Sequence, residues 1–206
     1  HEGTTTEDAV ARARQGMKVM MRYGSAWHDV ATQVKAITKN GLDPRGFILC
    51  TDDSHSQTLV DEGHMDRVLR HAIEQGLDPI TAIQMVTINT AEHFGVSREM
   101  GLIAPGRYAD ILLVNDLRNF KTEVVFARGV EAARNGKLLI DMPRIEYEDW
   151  VCQSVHLKNP LAAAEFTYNT DETGKVLAHV IGVIENQAPT RHLKFLMAVE
   201  NGEVKA

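Results

Sequence analysis

The sequence predicts an α/β protein with a parallel sheet, followed by a small β-rich module and the start of a third, mixed segment. Three observations predict it. Helix-like and strand-like stretches alternate from Thr4 to Gly95, an order that implies parallel strands with both faces covered. The apolar run Phe47 to Thr51 breaks abruptly into Asp52, Asp53, Ser54 and His55. A buried strand does this where it leaves the core, and in parallel α/β folds that rim collects ligands and chemistry. Beyond Gly101, Gly and Pro punctuate short β-rich runs.

The elements follow in order. Thr4-Thr-Thr-Glu7 has capping-box spacing and opens a helix over Asp8 to Gln15, stopped at Gly16. Met17 to Arg22 is an apolar strand, and a second helix fits Asp29 to Thr38 before Asn40-Gly41. Phe47 to Thr51 is the next strand, then a loop leads to a helix over His64 to Gln75 with Met65, Val68, Leu69 and Ala72 on one face. Asp78-Pro79 is an N-cap and first-turn pair for Ile80 to Val86, and Ala91 to Phe94 adds a short helical piece. Strands are predicted at Ala109 to Val114, Val124 to Ala127, Val130 to Ala133 and Lys137 to Ile140. Asn135-Gly136 is a hairpin turn, because both central positions of a type I′ turn need positive φ. After Met142-Pro143 come acidic residues and aromatics to Trp150, then strand-like segments such as Leu177 to Ile184.

With 206 residues the chain is long enough to bury a substantial core, and its formal net charge of −6 comes without clustered Lys and Arg. That argues against a nucleic-acid surface. No apolar stretch approaches the ~20 residues that span a membrane. Two cysteines, Cys50 and Cys152, fit a reduced, cytoplasmic protein without a disulfide framework. His1-Glu2-Gly3 runs directly into a helix start without an initiator Met, so the expectation is a fragment whose active site is completed elsewhere.

Asp52 and Asp53 are the leading candidates for chemistry. Successive strand side chains point to opposite sides, so one faces the rim while the other turns to the loop or a neighbouring strand. A carboxylate there can bind a metal or move a proton, and the plain alternative is an Asx turn. His1 stands at another strand-to-helix junction and suits a borderline metal, unless it is incidental. His55 and His64 flank a polar loop, with Gly63 allowing close backbone approach. The competing readings are a solvated loop histidine for His55 and an N-terminal cap for His64. His28, His71, His93, His156 and His192 have no partner at metal-ligand spacing and are read as surface or core histidines. Phosphate loops, zinc-type Cys spacing and the Gly-x-Ser-x-Gly elbow around Ser25 are all absent from the sequence.

The order His1-Glu-Gly-Thr-Thr, Arg22-Tyr-Gly-Ser25-Ala26, Cys50-Thr-Asp-Asp53, Glu62-Gly-His64-Met-Asp66, Thr87-Ile-Asn89-Thr-Ala91 and Gly101-Leu-Ile-Ala-Pro-Gly106-Arg-Tyr-Ala-Asp110 resembles the amidohydrolase superfamily. Within it the chain is most similar to the adenine deaminases, over residues 1 to about 142. The resemblance implies the carboxy-terminal part of a metal-dependent, TIM-like β/α barrel (1–98), a β-sandwich segment (99–142) and the start of an additional α+β domain (143–206).

It implies hydrolytic deamination of adenine to hypoxanthine and ammonia, with a binuclear Mn(II) or Fe(II) centre, or Zn(II). His1 takes the position of a metal ligand. Asp52, directly after the small residue Thr51, takes that of the strand-end Asp that binds metal and moves protons. Ser25, Asp53, His55 and His64 are the substrate-binding candidates. The partner implied is a small purine, in a homodimer. The family's His-x-His pair and middle-strand carboxylate are missing from this sequence, so the chain is expected to be inactive alone. The alternatives are another amidohydrolase acting on a cyclic amide or amidine, and a non-catalytic scaffold fragment.

Overall fold

A computed structural model describes residues 1–205 of the chain. Helix α1 (Thr6–Arg14) is capped at Thr5, one residue after the position its spacing predicts. Asp8 causes the shift: its carboxylate accepts from the amides of both Thr4 and Thr5, while Thr5 Oγ1 accepts from Asp8 N–H. Strand β1 (Val19–Arg22) follows, with Met17 and Lys18 outside the ladder. The helix predicted over Asp29 to Thr38 forms as two separate turns, α2 (Val30–Gln33) and α3 (Lys35–Thr38), meeting at Val34. Asp29 sits at the N-cap position without capping, because its carboxylate is bound by Arg22.

Strand β2 (Phe47–Cys50) pairs with β1 in parallel, Val19 opposite Phe47 and Arg22 opposite Cys50. Glu2 bridges Met20 in parallel on the other edge of β1. Three chain segments therefore run side by side and end at one rim, as an open sheet. The predicted loop after β2 contains a helix, α4 (Ser56–Asp61). It buries no residue, so no apolar periodicity marks it in the sequence.

Helices α5 (Met65–Glu74), α6 (Pro79–Val86) and α7 (Ile88–His93) cover the sheet. Val68, Leu69 and Ala72 of α5 face the core as their spacing predicts, and Asp78 caps α6 by accepting from Thr81 N–H at 2.9 Å. Helix α7 starts before the predicted Ala91, because buried Asn89 is held there: its Nδ2 donates to the carbonyls of Pro44 and Phe47, each at 3.0 Å. The core joins Val19, Met21, Phe47 and Leu49 of the strands to Val30, Val34, Val68, Ala72, Ala82 and Met85 of the helices. Phe120, from the following β segment, packs into the same cluster.

That segment is a four-stranded antiparallel sheet of β3 (Ile111–Val114), β4 (Thr122–Ala127), β5 (Val130–Arg134) and β6 (Lys137–Leu138), in sequence order. Asn135 and Gly136 join β5 to β6 with φ of 49° and 75°, as the turn chemistry predicts.

The chain divides into two compact units, residues 1–141 with 185–188 and residues 142–184 with 189–206. The second unit contains α8 (Asp149–Cys152) and an antiparallel sheet of β7 (Lys175–Val183), β8 (Thr190–Glu200) and β9 (Glu203–Val204). The predicted strand at Leu177 to Ile184 lies largely in β7. Its long partner β8 was hidden by Arg191, His192 and Lys194, which interrupt the apolar alternation. Among the described residues no helix is long and apolar enough to cross a membrane.

Candidate active site

The rim where Glu2, β1 and β2 end is organised around Arg22. This residue closes the apolar strand Val19–Met21, and the core below leaves it only 6 % exposed. A charge so placed needs carboxylates. Nε and Nη2 both donate to Oδ2 of the fully buried Asp29, at 2.8 and 2.6 Å, and Nη1 donates to Glu2 Oε2 and Asp52 Oδ2, each at 3.1 Å. The Trp27 ring lies 4.6 Å from the guanidinium carbon. Cys50 adds a weak Sγ–H donor to Glu2 Oε1 at 3.7 Å.

Burial raises Glu2 above the ordinary carboxylate range, with Arg22 opposing and Asp52 adding to the rise. Burial also pushes the Cys50 thiol up to about 12, helped by the neighbouring Glu2 charge, so Cys50 stands there as a neutral thiol. The rim thus combines carboxylates of different environments around one fixed cation, an arrangement suited to holding and handing on protons.

Asp52 and Asp53 point apart. Asp52 has φ of 60° and sends its carboxylate to Arg22. Asp53 turns to the loop after β1: its Oδ2 accepts from Ala26 N–H and its carbonyl from Ser25 N–H. Ser25 Oγ accepts from His55 N–H at 2.9 Å and donates to Thr58 Oγ1 at 2.8 Å. Ser25, Asp53 and His55 are therefore one hydrogen-bonded group, and Asp52 belongs to another. His55 and His64 both have exposed side chains. His64 occupies the N-cap position of α5 without a side-chain cap; instead Asp66 Oδ1 accepts from its N–H at 2.9 Å. His1 is exposed, on the segment beside β1. Among the described residues no three His, Cys, Asp or Glu side chains are grouped to hold a metal ion, so His1 and Asp52 do not make a metal centre by themselves.

Sequence reasoning missed Arg22, Asp29 and Arg67. The signal for Arg22 was present, since a lone charge ending a buried strand requires a buried counter-ion. Arg67 had none: it lies among the apolar positions of α5 and reaches back to the carbonyls of Tyr23 and Gly24, at 3.2 and 3.0 Å, fixing the end of β1.

The pattern of the amidohydrolase family matches residues 7–137. The adenine deaminase of Mesorhizobium japonicum is 59 % identical over 99 % of this chain and 34 % of its own length. Adenine deaminase 3 of Rhizobium meliloti is 56 % identical, over all of this chain and 34 % of its own length. The chain thus spans about a third of the curated relatives it matches. Among solved structures, the β-aspartyl dipeptidase of Fervidobacterium islandicum AW-1 in complex with β-Asp-Leu dipeptide superimposes with a TM-score of 0.51 at 20 % identity. That match covers 69 % of this chain and 39 % of the other, a likeness of fold alone.

Proposed function

Since the chain belongs to the amidohydrolase family, we propose that it carries part of the active site of an enzyme that deaminates adenine hydrolytically to hypoxanthine and ammonia. The observation that supports this reading is the 59 % identity to an adenine deaminase across 99 % of the chain, a span that includes Arg22, Ser25 and Asp52.

Asp52 is the proton carrier: it takes a proton from the attacking water and returns one to the departing amine, while the water oxygen joins C6 of the purine. Its place at the rim, beside Glu2 and Arg22, suits that role. The exposed imidazoles of His55 and His64 are the groups proposed to face the purine. His1 and Asp52 are the two donors this chain would contribute to a divalent metal centre, binuclear Mn(II) or Fe(II), with Zn(II) as the alternative. Residues 1–98 would be the last strands and helices of the barrel, 99–142 a β-sandwich segment and 143–206 the start of a further domain, in a cytoplasmic homodimer.

The test is ammonia release from adenine by a polypeptide of the relatives' full length that carries this sequence, with Mn(II) added. Asp52→Asn is expected to lower kcat by at least about a hundredfold. Turnover of another cyclic amide or amidine, with none of adenine, would overturn the substrate and leave the family standing.

A further inference from the structure

We propose that Asp53 and Ser25 are positioning residues: together they clamp the turn that aims Asp52 at the rim, and neither contacts substrate. Asp52 has φ of 60°, in the left-handed region that a residue with a side chain enters when its surroundings hold it there. The surroundings that hold it are the loop after β1. Ser25 N–H donates to the Asp53 carbonyl at 2.8 Å, and Ala26 N–H donates to Asp53 Oδ2. Gly24 packs so closely that a Cβ there would stand 1.9 Å from Asp53 Oδ1 and 2.6 Å from the Asp53 carbonyl oxygen. On the far side of the turn, His55 N–H donates to Ser25 Oγ, whose O–H donates in turn to Thr58 Oγ1. The two residues flanking Ser54 are thus tied to one loop, and Asp52 just before them takes the dihedral that is left.

The same contacts engage Asp53 and Ser25 within the loop. Asp53 Oδ1 is buried without a hydrogen-bond donor among the described residues, closed off by Gly24, and Oδ2 is engaged by backbone. Ser25 Oγ donates its O–H to Thr58 Oγ1 and accepts from His55 N–H. What the clamp uses at Asp53 is an acceptor oxygen, so an uncharged side chain of the same shape serves as well.

The effect on turnover rests on the role assigned to Asp52 above, whereas the effect on the loop does not. The experiment compares Asp53→Ala, Asp53→Asn and Ser25→Ala in a polypeptide of the relatives' full length, by steady-state kinetics on adenine and by amide hydrogen exchange of residues 24–26. Asp53→Ala is expected to lower kcat by about tenfold or more with KM little changed. It should also speed exchange at Ser25 and Ala26 by about tenfold. Asp53→Asn should stay within about threefold of the parent in both readouts, and Ser25→Ala should lower kcat at constant KM. If adenine is not turned over at all, the exchange comparison still decides whether the clamp exists. A rise in KM with unchanged kcat, equal damage from Asn and Ala, or unchanged exchange in Asp53→Ala would overturn the proposal.

Discussion

Arg22 and Asp29 form a buried ion pair in which two guanidinium nitrogens share one carboxylate oxygen, at 2.8 and 2.6 Å. Asp29 comes from the start of α2 and Arg22 from the end of β1, so the pair fixes the helix to the strand and leaves Nη1 free to span Glu2 and Asp52. Without Asp29 the guanidinium stays buried with its two weaker partners. Asp29→Ala is therefore expected to lower stability by about 3 kcal/mol or more, read from urea unfolding. A loss under about 1 kcal/mol would show that Glu2 and Asp52 suffice to balance the charge.

Asn89 links α7 to the start of β2 through two backbone carbonyls, those of Pro44 and Phe47. Replacing it with Leu keeps the branched shape and takes the side-chain donor from the buried Phe47 oxygen, while the Pro44 oxygen keeps the Phe47 N–H. The expected cost is about 1–3 kcal/mol, that of one unsatisfied buried carbonyl. An unfolding midpoint equal to that of the parent would mean that water takes over the Phe47 oxygen.

His71 stacks on Tyr23, ring centroids 3.9 Å apart, and its Nε2 is buried without a partner among the described residues. Burial holds its pKa below the ordinary 6.5; His28 and Arg67 push the same way and Glu74 opposes. Between the lowered folded value and 6.5 the unfolded chain binds more protons, so stability rises with pH across that window and is lost as pH falls below 6.5. His71→Phe preserves the stack and removes the titration. Melting temperatures at about pH 7.5 and about pH 5.5 should lie closer together in the variant than in the parent, and an unchanged gap would refute the assignment.

Phe47 opens β2 and is fully buried between the helices and β1. Phe47→Ala should cost about 3–5 kcal/mol, because the neighbouring side chains of a close-packed core refill only part of the space. Equilibrium unfolding checks this, and a cost near that of an exposed site would place Phe47 outside the core.

Much of this architecture was legible because local chemistry and tertiary position agreed. The apolar run at Phe47, the Asp78-Pro79 helix start and the Asn135-Gly136 turn each obey a rule that acts within a few residues. Helix α4 and strand β8 were not legible: one buries nothing, and the other mixes cations into its apolar pattern. The helix read over Asp29 to Thr38 divides at Val34, where the ladder tightens: Ile37 N–H donates to the Val34 carbonyl, three residues back, instead of to that of Gln33.

At the rim the division is sharper. The sequence alone determined that a buried strand runs into two adjacent carboxylates; the strand itself ends at Cys50, and Asp52, with φ of 60°, lies outside the extended geometry from which alternation was argued. Which side each takes was decided by contacts far away in the chain. Arg22, from β1, draws Asp52 toward Glu2, and the amides of Ser25 and Ala26 hold Asp53 in the neighbouring loop. The physical reason is range: strand pairing and turn preferences act between near neighbours. A buried guanidinium instead selects its carboxylates from whatever segments the fold brings to within hydrogen-bonding distance.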